Sequence, residues 1–406
     1  MRHPVIAATV GAAATALLLA GCVPNATADG ASTTVVAVES TETACTVTPA
    51  SVPSGPVTFR VTNAGERVTE FYVLKDDGLS IVAEVENVAP GAERDLTVVG
   101  QPGDYFTVCK PGMIGDGIGT TPFTITGEAV SVGADEEAAA AEAVAAYTAY
   151  VKSQAAELVP RVQAFVDAYV AGDDDTARGL FASARVPYER IEPTADAFGE
   201  LDPAIDYRKP GAEAEGIEFT GFHRIEMDLW LDAARANYPD EDLQPLDQAG
   251  REAVGNRLVD DVQALYDAVH AADFSLTLSN ITNGAIGLLD EISAPDGKLP
   301  GEENEFAHTD LSDFLANIEG AQVAFESVRA IAASRSAEGE ALVAELDERF
   351  ADMVALLHTY GSFESGFVAY DTVTQAERNV LGAQLNALSE PLSTLTHAVL
   401  GVEPAA

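Results

Sequence analysis

The spacing of apolar residues changes abruptly near Gly127, and no other feature restricts the fold of this chain as strongly. Before Gly127, short runs rich in Val, Thr, Phe and Tyr are separated by Pro–Gly turns, and apolar residues alternate in VTFRVT at 57–62. A period of two is typical of a strand with one buried face. After Gly127, an alanine-rich stretch carries apolar residues three and four positions apart, which is typical of helices. We therefore predict a multidomain β + α protein, with a β-sandwich at 35–128, a linker at 129–136 and an all-α bundle at 137–406.

Two prolines affect the predicted helix boundaries. Pro160 lies inside the first helical stretch and is predicted to kink or divide it, because proline removes a backbone donor and its ring crowds the preceding turn. Pro187 is predicted to open a new helix that continues to Phe198.

The first residues predict export and lipid attachment. Met1 and Arg2 precede an apolar run over 5–20 and Leu-Ala-Gly-Cys at 19–22, the order of a signal peptide ending in a lipoprotein cleavage site. Residues 1–21 are predicted to be removed, Cys22 to carry the lipid, and 22–34 to form a flexible tether. An ordinary signal peptide with a chance cysteine is the alternative. No later stretch has the roughly 20 unbroken apolar residues of a membrane span, so we expect lipid alone to hold the mature chain at the extracytoplasmic face of the cytoplasmic membrane.

The charge balance restricts the possible partners. The chain has 65 acidic and 22 basic residues, a formal net charge of -43. Such a surface repels nucleic acid, whose binding needs a basic footprint. It raises the local concentration of cations around any cleft that gathers carboxylates.

Acidic residues and a histidine recur at helical spacing in the second part of the chain. Glu189 and Glu192 are three apart, His223 and Glu226 are also three apart, and Asp206 lies between the pairs. Residues three apart project from one side of a helix, and helical bundles build carboxylate-rich metal sites from such pairs. Each pair alone also fits a solvated helix turn or chance in an acidic chain.

Several segments in order resemble the imelysin-like region of EfeO-type iron uptake proteins. They are RVPYERIEP at 185–193, LDPAID at 201–206, GFHRIE at 221–226, ITNGAIGLLDE at 281–291 and HTDL at 308–311. The resemblance implies a metal site formed by His223, Glu226, Glu189, Glu192 and Asp206. Carboxylates with one imidazole suit a hard cation, and iron as Fe3+ or Fe2+ is the expected ion. His308 is a weaker candidate ligand, and we interpret its surroundings as a helix start.

The β-sandwich resembles cupredoxins in GDYFTVCKPG at 103–112. A blue-copper centre needs a histidine after that cysteine, and Gly112 stands in its place, so an electron-transfer copper site is not expected. The resemblance to EfeO-type proteins implies Cys45, Cys109 and Glu70 as a second metal site, for copper or zinc. A disulfide would use the same two cysteines, and we favour it in an oxidising envelope.

These resemblances imply an extracytoplasmic iron-binding lipoprotein of an EfeUOB-type uptake system. It would capture iron and deliver it to a membrane permease, with a haem peroxidase-like protein as a further partner. The alternative is a metal-dependent, peptidase-like hydrolase of the cell envelope. The zincin pattern His-Glu-x-x-His is absent from the sequence, which favours a binding protein over an enzyme.

Overall fold

The computed structural model describes residues 33–74, 76, 81–112, 117–130, 134–294 and 297–402. The predicted signal peptide, Cys22 and nearly all of the predicted tether lie outside the described residues. The described residues belong to one compact unit, in which we call 33–130 the β region and 134–402 the helical region. None of the described helices combines the length and the apolar character needed to cross a membrane.

The β region consists of two sheets that share an apolar core. Its strands are β1 (Thr34–Ser40), β2 (Cys45–Thr48), β3 (Ser51–Pro53), β4 (Gly55–Asn63), β5 (Thr69–Leu74), β6 (Ile81–Val88), β7 (Glu93–Gly100), β8 (Gly103–Pro111) and β9 (Ile118–Thr126). One sheet has the order β2-β1-β4-β7 and the other β3-β9-β8-β5-β6. Phe59, from the first sheet, packs against Phe71 and Phe123 from the second, with ring centroids 5.3 and 5.2 Å apart. The predicted β-sandwich is confirmed, and its alternating buried positions explain why these segments form strands.

The helical region packs long helices around a second apolar core. Its helices are α1 (Ala134–Val170), α2 (Asp174–Glu189), α3 (Leu201–Asp206), α4 (Lys209–Glu215), α5 (Gly221–Leu229), α6 (Leu231–Asn237), α7 (Gln248–His270), α8 (Leu278–Ile292), α9 (Asp310–Arg335), α10 (Ala337–Leu357), α11 (Gln375–Leu392) and α12 (Leu395–Leu400). Two 3-10 helices, Glu192–Phe198 and Tyr370–Thr372, and a hairpin of β10 (Gly361–Ser362) with β11 (Gly366–Phe367) complete the described part.

Neither proline forms a helix boundary, so the predicted division at Pro160 and the predicted helix start at Pro187 were wrong. Helix α1 continues through Pro160, whose ring is exposed while Leu158 and Val162 on either side of it are fully buried. Burial of that continuous apolar face offsets the cost of about 3 kcal/mol for an internal proline. Helix α2 continues through Pro187 to Glu189, and the segment after it is the 3-10 helix Glu192–Phe198.

The two regions are in direct contact through β6, β7 and the helices α8 and α12. The Asn280 side chain donates to the Val82 carbonyl over 3.0 Å, and His397 Nε2 lies 2.9 Å from Thr97 Oγ1. Arg94 forms an ion pair with Asp290. These contacts fix a cleft between the β region and the short helices α3 and α4, beside which the candidate site lies.

Candidate metal centre

The centre begins where two short helices touch through their backbones. Gly221 opens α5 with a φ of +76°, and a Cβ at this position would lie 2.1 Å from the carbonyl oxygen of Ile205 in α3. Only glycine permits both the positive φ and this close approach. Because α5 begins so close to the end of α3, His223 in the first turn of α5 lies beside Asp206, the last residue of α3.

His223 is held by Glu226, one helical turn further along α5. The imidazole is 2 % exposed, and its Nδ1 lies 2.8 Å from Glu226 Oε2. The other oxygen of Glu226 accepts backbone N–H bonds from Phe306 at 2.9 Å and Ala307 at 2.8 Å. Glu226 therefore orients the ring and leaves Nε2 as the coordinating nitrogen, which is the usual role of a carboxylate behind a ligating histidine.

The Nε2 atom of His223 points between two carboxylates. It is buried, has no hydrogen-bond partner, and lies 3.6 Å from both Asp206 Oδ1 and Glu303 Oε1. One ligand atom from each of these three residues falls within 4.8 Å of the others. Two ligands about 2.1 Å from a shared ion can be at most ~4.2 Å apart, so 3.6 Å separations suit a common ion. We call these residues the Asp206–His223–Glu303 trio.

Two buried cations lie next to the trio. Arg185 is fully buried and pairs with four carboxylates, at 3.1 Å from Glu303, at 3.0 Å from Asp313, and also with Glu189 and Asp206. Phe222 places its ring centroid 5.3 Å from the guanidinium carbon. A second set, Glu189, Glu303 and Asp313, also has ligand atoms within 4.8 Å of one another, but Arg185 contacts all three.

Lys298 is the other buried cation, and it accounts for the positions of Glu189 and Glu192. Its ammonium lies 3.4 Å from Glu189 Oε2, 3.4 Å from Glu192 Oε2 and 3.6 Å from Glu303 Oε1. The side-chain amide of Asn317 donates to Glu192 over 2.6 Å and to Glu189 over 3.1 Å. These two glutamates therefore have partners other than His223, although one continuous network links them to the trio through Glu303.

The charges in this network shift the pKa of each acid and base. Burial and the nearby Arg185 disfavour the imidazolium, but Glu226, Glu303 and Asp206 outweigh them and raise the pKa of His223 to about 9. Burial alone would raise the pKa of Glu303, yet Lys298 and His223 hold it well below its usual range. At neutral pH His223 is therefore protonated without a metal, and coordination at Nε2 would release a proton.

A cleft of about 500 Å³ connects the trio to the surface, and both regions contribute to its walls. Asp206 and Glu303 are among the residues that line it. Further acidic lining residues come from the β region and from the helical region: Glu70, Glu84, Glu192, Asp196, Glu200, Asp202, Glu215, Glu291, Glu302 and Glu305. Such a wall concentrates cations near the trio.

The cysteine cluster of the β region has a different structure. Cys45 on β2 and Cys109 on β8 form a disulfide, with their Cα atoms 5.5 Å apart, and it joins the two sheets. Glu70 pairs with Lys110 across the sheet, whereas Cys109 pairs with the next residue, Phe71. Adjacent residues of a strand face opposite sides, so Glu70 lies on the outer face, where it accepts a 2.6 Å hydrogen bond from the Tyr72 hydroxyl. The three candidate ligands do not share one face of the sheet.

The remaining histidine candidate lies beside the centre without joining the trio. His308 has a φ of +55° and precedes Thr309, the N-cap of α9, whose side chain makes no capping hydrogen bond. The residues of this network that sequence reasoning did not assign to the site are Glu303, Arg185, Lys298 and Asp313, whereas Asn317 was expected only as a possible lining residue of the cleft. Arg185 belongs to a segment that carried the family resemblance, and the pattern of acids around it was the only signal that could have indicated a buried cation.

Comparisons with known proteins agree with this architecture. The family model for imelysin, peptidase M75, matches residues 143–395, and the model for a cupredoxin-like domain matches residues 11–118. The chain is 34 % identical over 383 residues to a protein of Escherichia coli strain K12 named iron uptake system component EfeO, covering 93 % of this chain and 94 % of the relative. The component of the same name from Shigella flexneri matches to the same extent. A third, from Escherichia coli O1:K1, is 34 % identical over 375 residues, covering 91 % of this chain and 92 % of the relative.

Proposed function

Because this chain belongs to the imelysin family and to the EfeO group of iron uptake components within it, we propose that it captures one iron ion with Asp206, His223 and Glu303. In this proposal Glu226 positions His223, while Glu189 and Glu192 belong to the surrounding charge network. Capture takes place outside the cytoplasmic membrane, where a lipid on Cys22 holds the protein. The ion is then delivered to a membrane permease, with a haem peroxidase-like protein as a further partner.

The observation that carries the proposal is the nitrogen of His223 that lies buried between two carboxylates. A buried polar atom without a partner costs free energy, and a metal ion would satisfy this one. Two carboxylate oxygens with one imidazole nitrogen form a donor set rich in hard oxygen ligands, which suits iron better than it suits a thiolate-preferring metal. The acidic cleft supports the same reading because it leads cations to the trio.

We infer that the protein binds and transfers the ion rather than catalysing hydrolysis, and the hydrogen bonds of Glu226 support this inference. A metallohydrolase needs a carboxylate beside the metal that can accept a proton from the attacking water. Both oxygens of Glu226 are engaged, one by His223 and the other by two backbone N–H groups. Asp206 and Glu303 are themselves the proposed ligands.

The proposal is tested by titrating the mature chain with ferric citrate, with ferrous iron under anaerobic conditions, and with zinc and copper salts. We expect one iron per chain, and at least a hundredfold weaker binding in His223→Ala and Asp206→Asn. His270→Ala is the matched control, since this exposed histidine contacts Tyr266 on its own helix, through the backbone carbonyl and by stacking on the ring. Wild-type binding by His223→Ala would overturn the assignment, and hydrolysis of a peptide pool that disappears in this variant would favour the enzyme.

A further inference from the structure

Glu303 is shared between the proposed iron site and the buried cations. Its Oε1 lies 3.6 Å from His223 Nε2 on one side. On the other side the same oxygen lies 3.6 Å from the Lys298 ammonium and 3.1 Å from Arg185 Nη2. A ligand oxygen that already neutralises two positive charges is a weaker donor to a third.

Lys298 is fixed in this position by the loop that follows α8. The backbone N–H of Leu299 bonds to the Ile292 carbonyl over 2.9 Å, which folds the loop back on the helix end. A Cβ at Gly297 would lie 2.2 Å from the Glu291 carbonyl oxygen, so the chain just before Lys298 is also packed tightly. The lysine side chain is 1 % exposed and cannot move its charge into water without rearranging this loop.

The contacts of Lys298 are looser than those of Arg185. None of the three carboxylates that face the ammonium comes closer than 3.4 Å, whereas Arg185 makes direct hydrogen bonds to its four partners. An ion about 2.1 Å from Glu303 Oε1 would lie within roughly 6 Å of the ammonium. At this distance in a buried site two cations repel each other strongly.

We propose that Lys298 is an internal counter-cation that competes with the bound ion for Glu303 and thereby sets how readily the ion is released. Without the ion, the ammonium lies beside Glu303 and holds its carboxylate in place. With the ion bound, Glu303 turns toward the metal and Lys298 is left with Glu189 and Glu192. The residue therefore limits the affinity to a range that permits delivery. This inference rests on the proposed function and concerns the regulation of the same site.

The test compares ion affinity and dissociation rate in the wild type and in Lys298→Met, with ferric citrate and zinc as probes. We expect Lys298→Met to bind at least tenfold more tightly, mainly through slower dissociation. Lys298→Arg, which retains the charge, should bind like the wild type. Lys152→Met is the matched control, because Lys152 lies on α1, which contributes no residue to the cleft.

A double variant separates direct competition from a general effect of charge. Lys298→Met with Glu192→Gln removes one positive and one negative charge, so the net charge of the cluster is unchanged. If Lys298 competes for Glu303, this variant should still bind the ion at least threefold more tightly than the wild type. If only the net charge of the cluster matters, its affinity should equal that of the wild type. The double variant also decides the question if Lys298→Met alone does not fold, because it leaves fewer uncompensated carboxylates.

Each outcome bears on a different claim. If the wild type binds iron, His223→Ala does not, and folded Lys298→Met binds no more tightly than the wild type, the role of Lys298 is overturned while the iron site stands. If the wild type binds no ion that depends on His223, the proposed function itself fails and this inference fails with it.

Discussion

Both regions of the chain hold a cluster of residues that commonly bind metals, and the two clusters differ in what their donor atoms already contact. In the β region, Cys45 and Cys109 are joined to each other inside an apolar core, and Glu70 faces the other side of the sheet. In the helical region, His223 keeps a buried nitrogen without a partner between two carboxylates. Both clusters contain residue types that bind metals. The cluster in the helical region differs because two carboxylates converge on a nitrogen that has no hydrogen-bond partner.

The surroundings of the two clusters differ in the same way. Phe59, Phe71 and Phe123 belong to the apolar core that contains the disulfide, and the side chains of this core are hydrophobic. Around His223 many buried neighbours are charged, with Arg185 and Lys298 among six carboxylates. We therefore expect the first cluster to contribute stability and the second to contribute binding.

The largest expected effect comes from removing the disulfide. Its two cysteines are 64 residues apart, and a loop of that length predicts a loss of about 4 kcal/mol in the free energy of unfolding for Cys45→Ala with Cys109→Ala. Urea unfolding under non-reducing conditions measures this loss. Iron stoichiometry at the helical centre should be unchanged, and the loss of one bound ion per chain would show that the cysteines form a metal site after all.

The second effect concerns the residue that orients His223. Glu226→Gln leaves the shape of the side chain but removes the negative charge behind the imidazole. We expect a tenfold to hundredfold loss of iron affinity, because carboxylates behind ligating histidines contribute about that much. Titration against Glu252→Gln, an exposed residue of α7, provides the control. Wild-type affinity in Glu226→Gln would mean that His223 does not need this carboxylate, and the contrast between the two clusters would weaken.

The smallest effect is a pH dependence at the junction of the two regions. Burial lowers the pKa of His397, despite the opposing charge of Asp95, so the folded protein keeps this histidine neutral beside Thr97. Its contribution to stability is present above the ordinary histidine pKa of about 6.5 and is lost as the pH falls. The loss reaches at most about 0.8 kcal/mol at pH 6, and His397→Gln should abolish it in unfolding experiments between pH 7.5 and 6.

Asp290, at the same junction, gives the free energy of unfolding the opposite pH dependence. Burial raises its pKa to about 6, against the attraction of Arg94, so its contribution is greatest at low pH and is lost as the pH rises through about 6. A wild-type stability that grows on acidification, and a His397→Gln variant that behaves identically, would show that Asp290 dominates the junction and that His397 has no measurable part.

The sequence predicts the fold better than it predicts the site, and the reason is physical. Apolar periodicity is a local property, so the change from strands to helices near Gly127 could be read directly. The spacing of His223 and Glu226 was also local. Glu303 lies in a segment between α8 and α9 without any periodic pattern, and only the tertiary fold brings it to His223. Lys298 was missed for the same reason, since nothing in its neighbouring sequence shows that it is buried.

The backbone contact between Gly221 and Ile205 has a consequence for ion selectivity. Main-chain atoms, which have no rotamers, set the spacing between the helices that carry His223 and Asp206. The 3.6 Å separation of their donor atoms suits an ion with bonds of about 2.0–2.2 Å. Calcium takes six to eight oxygen ligands at about 2.3–2.6 Å, so it would need more donors than these three residues supply. The contact of two helix ends would thus hold a small donor set at one spacing, which disfavours a common extracellular cation that needs six to eight ligands.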